Sequence, residues 1–212
     1  MTKGFTHESI HNESKEWYTP ITIFRALGVD FDLDPCSPGQ EIVPWVPAQI
    51  HHTVKDNGLE TEWFGKVFMN PPYGSDTPKW MGRLAKHGNG IALVFARTDT
   101  KWFHSYVPKA DAICFISGRI GFVPHDKALL YAGGQWYTKG GCGAASMLVA
   151  YGSEMVGALL RSGLGLTLPV TKNVEMFRTV QDFAGGSRRP NESLPHVSET
   201  RQSIVRPRLP RR

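Results

Sequence analysis

The 212-residue chain has no apolar run near the roughly 18 residues that a membrane-spanning helix needs, which excludes such a helix. Its opening stretch, "MTKGFTHESIHNESKEW", lacks the apolar core of a secretory leader, so a cytoplasmic protein is expected. Cysteine is scarce. Cys36, Cys114 and Cys142 are odd in number and far apart, which suits neither a disulfide framework nor a zinc-ligand series. The adjacent His51 and His52 have no partners at ligand spacing, so no metal is expected. A charge bias is also missing from most of the chain. The net charge is +5, yet seven arginines and two glutamates lie in residues 185–212, leaving 17 basic and 17 acidic residues in 1–184.

The full chain is 41% hydrophobic, enough for one domain with a substantial core. The basic tail, "GGSRRPNESLPHVSETRQSIVRPRLPRR", is rich in Pro, Ser and Arg, and its composition predicts disorder. It is either a solvated end or a mobile arm that binds polyanion through counterion release.

Punctuation residues divide the domain. In "YTPITIFRALG", Thr19 as N-cap, Pro20 at the first helical position and Gly28 as the stop predict a helix. "VDFDLDPCSP" reads as a short strand broken at Pro35, and residues 39–60 as a turn-rich connection. "KVFMN" is the next strand. A helix starts at Asp76 or Thr77, before Pro78, and Gly88 closes it. "GIALVFA" suits a strand buried on both faces. A polar loop and short helix follow in "RTDTKWFHSYV", then strands "DAICFIS" and "RIGFV", a Gly-rich aromatic stretch, and a last buried strand, "SMLVAYG". This alternation predicts an α/β fold with a mostly parallel sheet and a mixed edge. In such sheets, ligands bind beyond the carboxyl ends of the strands. Three strands here end on chemically loaded loops, "DLDPC", "MNPPYG" and "FARTDT".

The loop "NPPY", Asn70-Pro71-Pro72-Tyr73, is either a plain turn or a site for a planar amine. The lone pair of an amine such as the 6-amino group of adenine is delocalised into the ring, so it attacks poorly. Acceptors for both N–H bonds draw the nitrogen toward tetrahedral geometry. The Asn70 side-chain oxygen and the Pro71 carbonyl can supply them. The prolines fix these acceptors before substrate arrives, and Tyr73 can stack on an extruded base.

"NPPY" is one form of the Asp/Asn-Pro-Pro-Tyr signature of S-adenosylmethionine-dependent amino-methyltransferases. The ordered set "WYTPITIF", "FDLDPCSP", "KDNGLETEWFGKVFMNPPYG", "ARTDTKWFH" and "GRIGF" resembles the phage-type DNA N6-adenine methyltransferases, the Dam-like family. The resemblance covers about residues 16–151. It implies a Rossmann-like methyltransferase sheet, mixed and in one compact domain, that binds S-adenosylmethionine beside the tetrapeptide. It also implies methyl transfer to a flipped adenine of double-stranded DNA, in the cytoplasm of a bacterial host. Asn70, Pro71, Pro72 and Tyr73 would be catalytic. Trp17, Thr19, Pro20, Asp34, Pro35, Cys36 and Asp56 would contact the donor. The usual Gly-rich donor loop is absent, and "DLDPCSP" stands in its place.

Blander readings stand beside these. Asp34 also suits a strand-end cap, Asp56 an ordinary turn, and Trp17 a partly buried aromatic. Asp32 alternates with Asp34, so one of the two is open to a structural role. Arg97 fits helix capping or a DNA phosphate contact, and Arg119 an ion pair or another phosphate contact. Trp136 and Lys139 suit a nucleic-acid-facing loop or an irregular edge connection. The expected layout is an extension over 1–15, a methyltransferase domain over 16–160, an extension over 161–184 and the basic tail over 185–212. Rival functions are the same chemistry on RNA or protein glutamine, and a non-catalytic phage DNA-binding protein.

Overall fold

The computed structural model describes residues 16–132 and 142–171. In chain order its elements are β1 (Trp17–Tyr18), α1 (Ile21–Leu27), β2 (Phe31–Asp34), β3 (Ala48–His51), β4 (Val67–Met69), α2 (Thr77–His87) and β5 (Gly90–Phe95). There follow α3 (Lys101–Tyr106), β6 (Ala112–Ile116), β7 (Val123–Pro124), α4 (Ala128–Ala132), β8 (Ser146–Tyr151), α5 (Ser153–Arg161) and β9 (Gly165–Pro169).

Seven strands form one sheet in the order β3-β2-β4-β5-β8-β6-β9. The pairings of β2 with β3, β2 with β4 and β4 with β5 are parallel, whereas those of β8 with β5 and β6, and of β6 with β9, are antiparallel. Five strands therefore share one direction and β8 and β9 oppose them, although the pairings themselves divide evenly. This mixed α/β sheet is consistent with a Rossmann-like methyltransferase fold.

The central strands β4 and β5 are apolar at every position because both faces are covered. Ile91 and Leu93 of β5 join Phe24, Leu27, Phe31, Phe68, Ala158 and Leu159 on the α1 and α5 side. Ala92 and Val94, the alternate residues, join Trp80, Met81, Leu84, Met69 and Val149 on the α2 side. Each fully buried aliphatic side chain of this kind contributes about 1.5–3 kcal/mol.

Helix ends follow the punctuation, with one correction. Gly28 and Gly88 sit at φ 59° and 78° and close α1 and α2. Pro20, not Thr19, is the N-cap of α1. Its extended backbone, ψ 150°, holds it outside the helix, so Thr19 is one residue too early to cap. "RIGFV" is not a continuous strand: only Val123 and Pro124 pair, as β7, with β1. Nor does the sheet end at "SMLVAYG", since α5 returns the chain to place β9 beside β6.

The two aspartates of β2 part company. Asp32 Oδ2 accepts a hydrogen bond from the Lys66 backbone N–H at 2.6 Å, tying β2 to the segment that enters β4. Gly65, at φ 58°, has no room for a Cβ, which would lie 2.1 Å from that same oxygen. Asp32 is therefore the structural member of the pair. Asp32→Ala leaves the Lys66 N–H unsatisfied, and chemical denaturation should show a loss of about 1–3 kcal/mol.

Candidate active site

The shared direction of β2, β4 and β5 puts their carboxyl ends on one edge. There the segments Asp34-Pro35-Cys36 and Asn70-Pro71-Pro72-Tyr73 meet. The Asn70 backbone N–H is bonded to the Cys36 thiol, and the Cys36 N–H donates to Asp34 Oδ1 at 3.1 Å. From outside the main sheet, β1 adds a third segment: Asn70 Nδ2 donates to the Trp17 carbonyl at 2.9 Å.

That bond fixes the Asn70 amide. Its nitrogen faces Trp17, and its oxygen accepts from the Tyr73 hydroxyl at 2.9 Å. The Tyr73 ring lies flat on Phe95, centroids 4.0 Å apart and planes 10° apart, and meets Phe122 nearly edge-on at 6.4 Å. An amide oxygen thus sits against a wall of aromatic rings, a surface suited to a flat heterocycle bearing an amine. The Pro72 carbonyl accepts from Thr77 Oγ1 at 3.3 Å. The Pro71 carbonyl has no such partner among the described residues.

Burial governs the protonation of the site. It pushes the Cys36 thiol well above its ordinary pKa, and the neighbouring Asp34 carboxylate adds to the shift. It likewise raises the Tyr73 phenol, reinforced by Cys142 and Cys36. Both groups therefore stay protonated and neither is a thiolate or phenolate nucleophile. Asp34 is 6% exposed. Burial raises its carboxyl to about 7, against the hydrogen bond from Cys36, which lowers it.

The family whose model is described as DNA N-6-adenine-methyltransferase (Dam) matches residues 7–135, more than half of the chain. The chain belongs to the Dam family. No curated protein and no solved structure matches it. Membership fits the tetrapeptide geometry, and it makes DNA adenine N6-methylation the general activity of this chain's family.

The residues expected to hold the donor of this Dam-family chain divide into those that converge and one that does not. Trp17, Thr19 and Pro20 lie on the β1 side of Asn70, and Asp34, Pro35 and Cys36 on the β2 side. The Thr19 hydroxyl is buried without a hydrogen-bond partner among the described residues, while its carbonyl accepts from Trp45 Nε1 at 2.8 Å. A buried hydroxyl two residues from the Trp17 carbonyl and a buried carboxyl two residues from the Cys36 thiol, both of which bond Asn70, suit a ligand that carries hydroxyl and ammonium groups, as S-adenosylmethionine does. Asp56, by contrast, is exposed and accepts from both the N–H and the hydroxyl of Thr53, at 2.7 and 2.8 Å. These bonds lower its pKa. It caps its own turn.

Its loop nevertheless reaches the site. Gly58 packs so closely on the Pro35 carbonyl that a Cβ there would lie 1.7 Å from the oxygen. Arg83 of α2 donates to the Leu59 and Thr61 carbonyls and lies over the Trp63 ring, whose Nε1 donates to the Gly58 carbonyl at 2.7 Å. His51 and His52 bond different partners, Ser37 with the Ala48 carbonyl and Thr61 respectively. Arg97 and Arg119 are both exposed beyond β5 and β6. Trp136, Lys139, the 1–15 extension and the basic tail fall outside the described residues.

The sequence reading missed Phe95, Phe122, Trp45 and Arg83. Phe95 ends an apolar run that reads as core, and only its proximity to Tyr73 distinguishes it. Arg83 lies within an ordinary helical pattern and gives no signal of its own.

Asp34 sets a pH dependence. Its folded pKa is raised above the ordinary 3.8 to about 7, so the folded state holds a proton that the unfolded chain has released. Its contribution to stability is fully present below about pH 4 and is lost as the pH rises through about 7, at up to about 1.4 kcal/mol per unit. Denaturation midpoints across pH 4–8 should fall with this slope in the wild type relative to Asp34→Asn, which cannot titrate.

Proposed function

We propose that the chain transfers a methyl group from S-adenosylmethionine to N6 of an adenine flipped out of double-stranded DNA, as a modification enzyme of phage or prophage DNA in a bacterial cytoplasm. The observation that carries this reading is the Asn70 amide. Trp17 holds its nitrogen and the Tyr73 hydroxyl its oxygen, beside stacked aromatic rings, while the Asn70 backbone meets Cys36, the partner of the buried Asp34.

The donor would supply a methyl group already bonded to an excellent leaving group, the sulfonium. The protein's task is then placement. The Asn70 oxygen and the Pro71 carbonyl accept the two N–H bonds of the adenine amine and draw its lone pair out of the ring. The aromatic wall holds the base flat, with Tyr73 as the ring that covers it. The Tyr73 hydroxyl yields its place on the Asn70 oxygen to the incoming amine, or shares the second lone pair. With the donor bound, the N–C bond would form as the donor's S–C bond breaks, the thioether leaving with the electron pair. The nitrogen loses its extra proton afterward, so no strong base is needed before transfer, in keeping with a site whose thiol and phenol stay neutral. Thr19 and Asp34 would hold the donor's hydroxyl and ammonium groups, with Trp17, Pro20, Pro35 and Cys36 shaping its pocket. Asp56 would join them by releasing Thr53. Arg97 and Arg119, with Trp136, Lys139 and the basic tail, would face the DNA backbone.

Incubation with labelled donor and unmethylated DNA, RNA or protein identifies the acceptor polymer. Label in DNA adenine is expected; label in RNA or glutamine alone would move the assignment to that polymer. Asn70→Ala should lower DNA methylation by about 10²–10³-fold, the usual effect of removing one preorganised polar contact, while calorimetry still shows donor binding. Full activity in that variant would refute the role of the amide. Tyr73→Phe should keep most of the activity, because the stacking face survives, whereas Tyr73→Ala should raise the DNA concentration needed for half-maximal rate. Equal losses in the two would argue against stacking.

A further inference from the structure

Carboxamide and carboxylate have nearly the same shape, but the surroundings of Asn70 admit only one of them. The Trp17 carbonyl can only accept, so the side-chain atom 2.9 Å from it must carry a proton. An amide nitrogen meets that demand and leaves the oxygen on the Tyr73 side, where it accepts from the phenol hydroxyl. An ionised carboxylate would set two acceptors face to face at hydrogen-bonding distance in a half-buried position.

We propose that the Trp17 carbonyl is a positioning group that makes this an amide-only acceptor site, deciding which atom of residue 70 faces the substrate amine. The catalytic half of the proposal rests on the reading of Asn70 given above; the geometric half stands on the free protein.

The carbonyl is not at liberty to withdraw. Trp17 and Tyr18 pair with Pro124 and Val123, and the His125 backbone N–H donates to the Glu16 carbonyl at 3.3 Å. The Tyr18 hydroxyl donates to Glu16 Oε2 at 2.6 Å and lies 2.7 Å from His125 Nδ1. Two bonds beyond Tyr18 hold the segment from the other side: Trp45 Nε1 to the Thr19 carbonyl, and the Ile21 N–H to the Tyr131 hydroxyl at 2.9 Å. A clash at residue 70 therefore has to be relieved at the side chain itself.

Protonation is the relief open to a carboxyl group. Its single O–H would replace the amide N–H toward Trp17 and leave the other oxygen aimed as before. The titratable groups around the position are Asp34 and Cys36 from the β2 end, Tyr73 and Cys142 on the aromatic side, and Glu16, Tyr18 and His125 behind β1. The carboxylates among them favour a protonated neighbour. Asp34, raised to about 7, would titrate together with a carboxyl introduced at position 70, so the comparison is made both in the native background and in Asp34→Asn, where that coupling is gone.

The test compares wild type, Asn70→Asp and Asn70→Ala from pH 5 to pH 8.5, by thermal denaturation and by transfer of labelled methyl to DNA. The melting deficit of Asn70→Asp relative to wild type should shrink as the pH falls, while that of Asn70→Ala stays constant. Methylation by Asn70→Asp relative to wild type should rise about tenfold per pH unit on the alkaline side of the introduced carboxyl's pKa. A deficit for Asn70→Asp that does not change with pH, a variant unfolded at every pH, or wild-type stability and activity at pH 8 would each overturn the proposal. If the wild type itself transfers no methyl group to DNA, the enzymatic reading fails, and the melting comparison still decides the role of the Trp17 carbonyl.

Discussion

The close approach of β4 to β5 is the constraint on which the site depends. A Cβ at Gly90 would lie 2.3 Å from the Val67 carbonyl oxygen, so only glycine allows the register in which Val67 faces Gly90 and Met69 faces Ala92. Three residues of β4 are then used up while β5 continues for three more, to Phe95. The chain leaving β4 must turn beside that remaining length, and the two prolines make it do so within reach of Phe95. The stacking of Tyr73 on Phe95 follows from this offset between a short strand and a longer neighbour. Side-chain chemistry at the edge is thus placed by backbone geometry in the middle of the sheet.

Burial sets the charge state of the site. Its thiol and phenol are held neutral by burial, and its one buried carboxyl, Asp34, is poised near neutrality. A nucleophilic enzyme would need an ionised thiol or phenol here, and burial withholds both. Orientation of an amine toward a pre-activated methyl group needs neither, only acceptors that do not move. The Asn70 amide meets the second requirement, that of not moving, because both of its ends are engaged.

The parts of the fold legible in the sequence are those whose cause is local. Gly28 and Gly88 stop helices by adopting positive φ, and "GIALVFA" reads as doubly buried because it is. The position of the tetrapeptide at the end of β4 was legible for the same reason, since its two prolines stop the strand at Met69. The illegible parts depend on partners far away in sequence. Asp32 and Asp34 look alike until Lys66, 34 residues on, claims Asp32. Thr19 reads as a cap, yet the helix begins only after Pro20. β3 has two exposed residues in "AQIH", and β9 is largely exposed, so neither shows the apolar run that marked β5. Phe95 and Phe122 are ordinary core residues by pattern, and only the fold brings them to Tyr73.

The packing of Gly58 on Pro35 carries a different kind of consequence. The loop that crosses the Asp34-Pro35-Cys36 turn takes its shape from α2, through the grip of Arg83 on two carbonyls, and from Trp63 through a third. Loop and helix are therefore one heritable module. A recombinant that exchanged residues 57–63 with a relative, and left the native α2 behind, would inherit a loop without its mould.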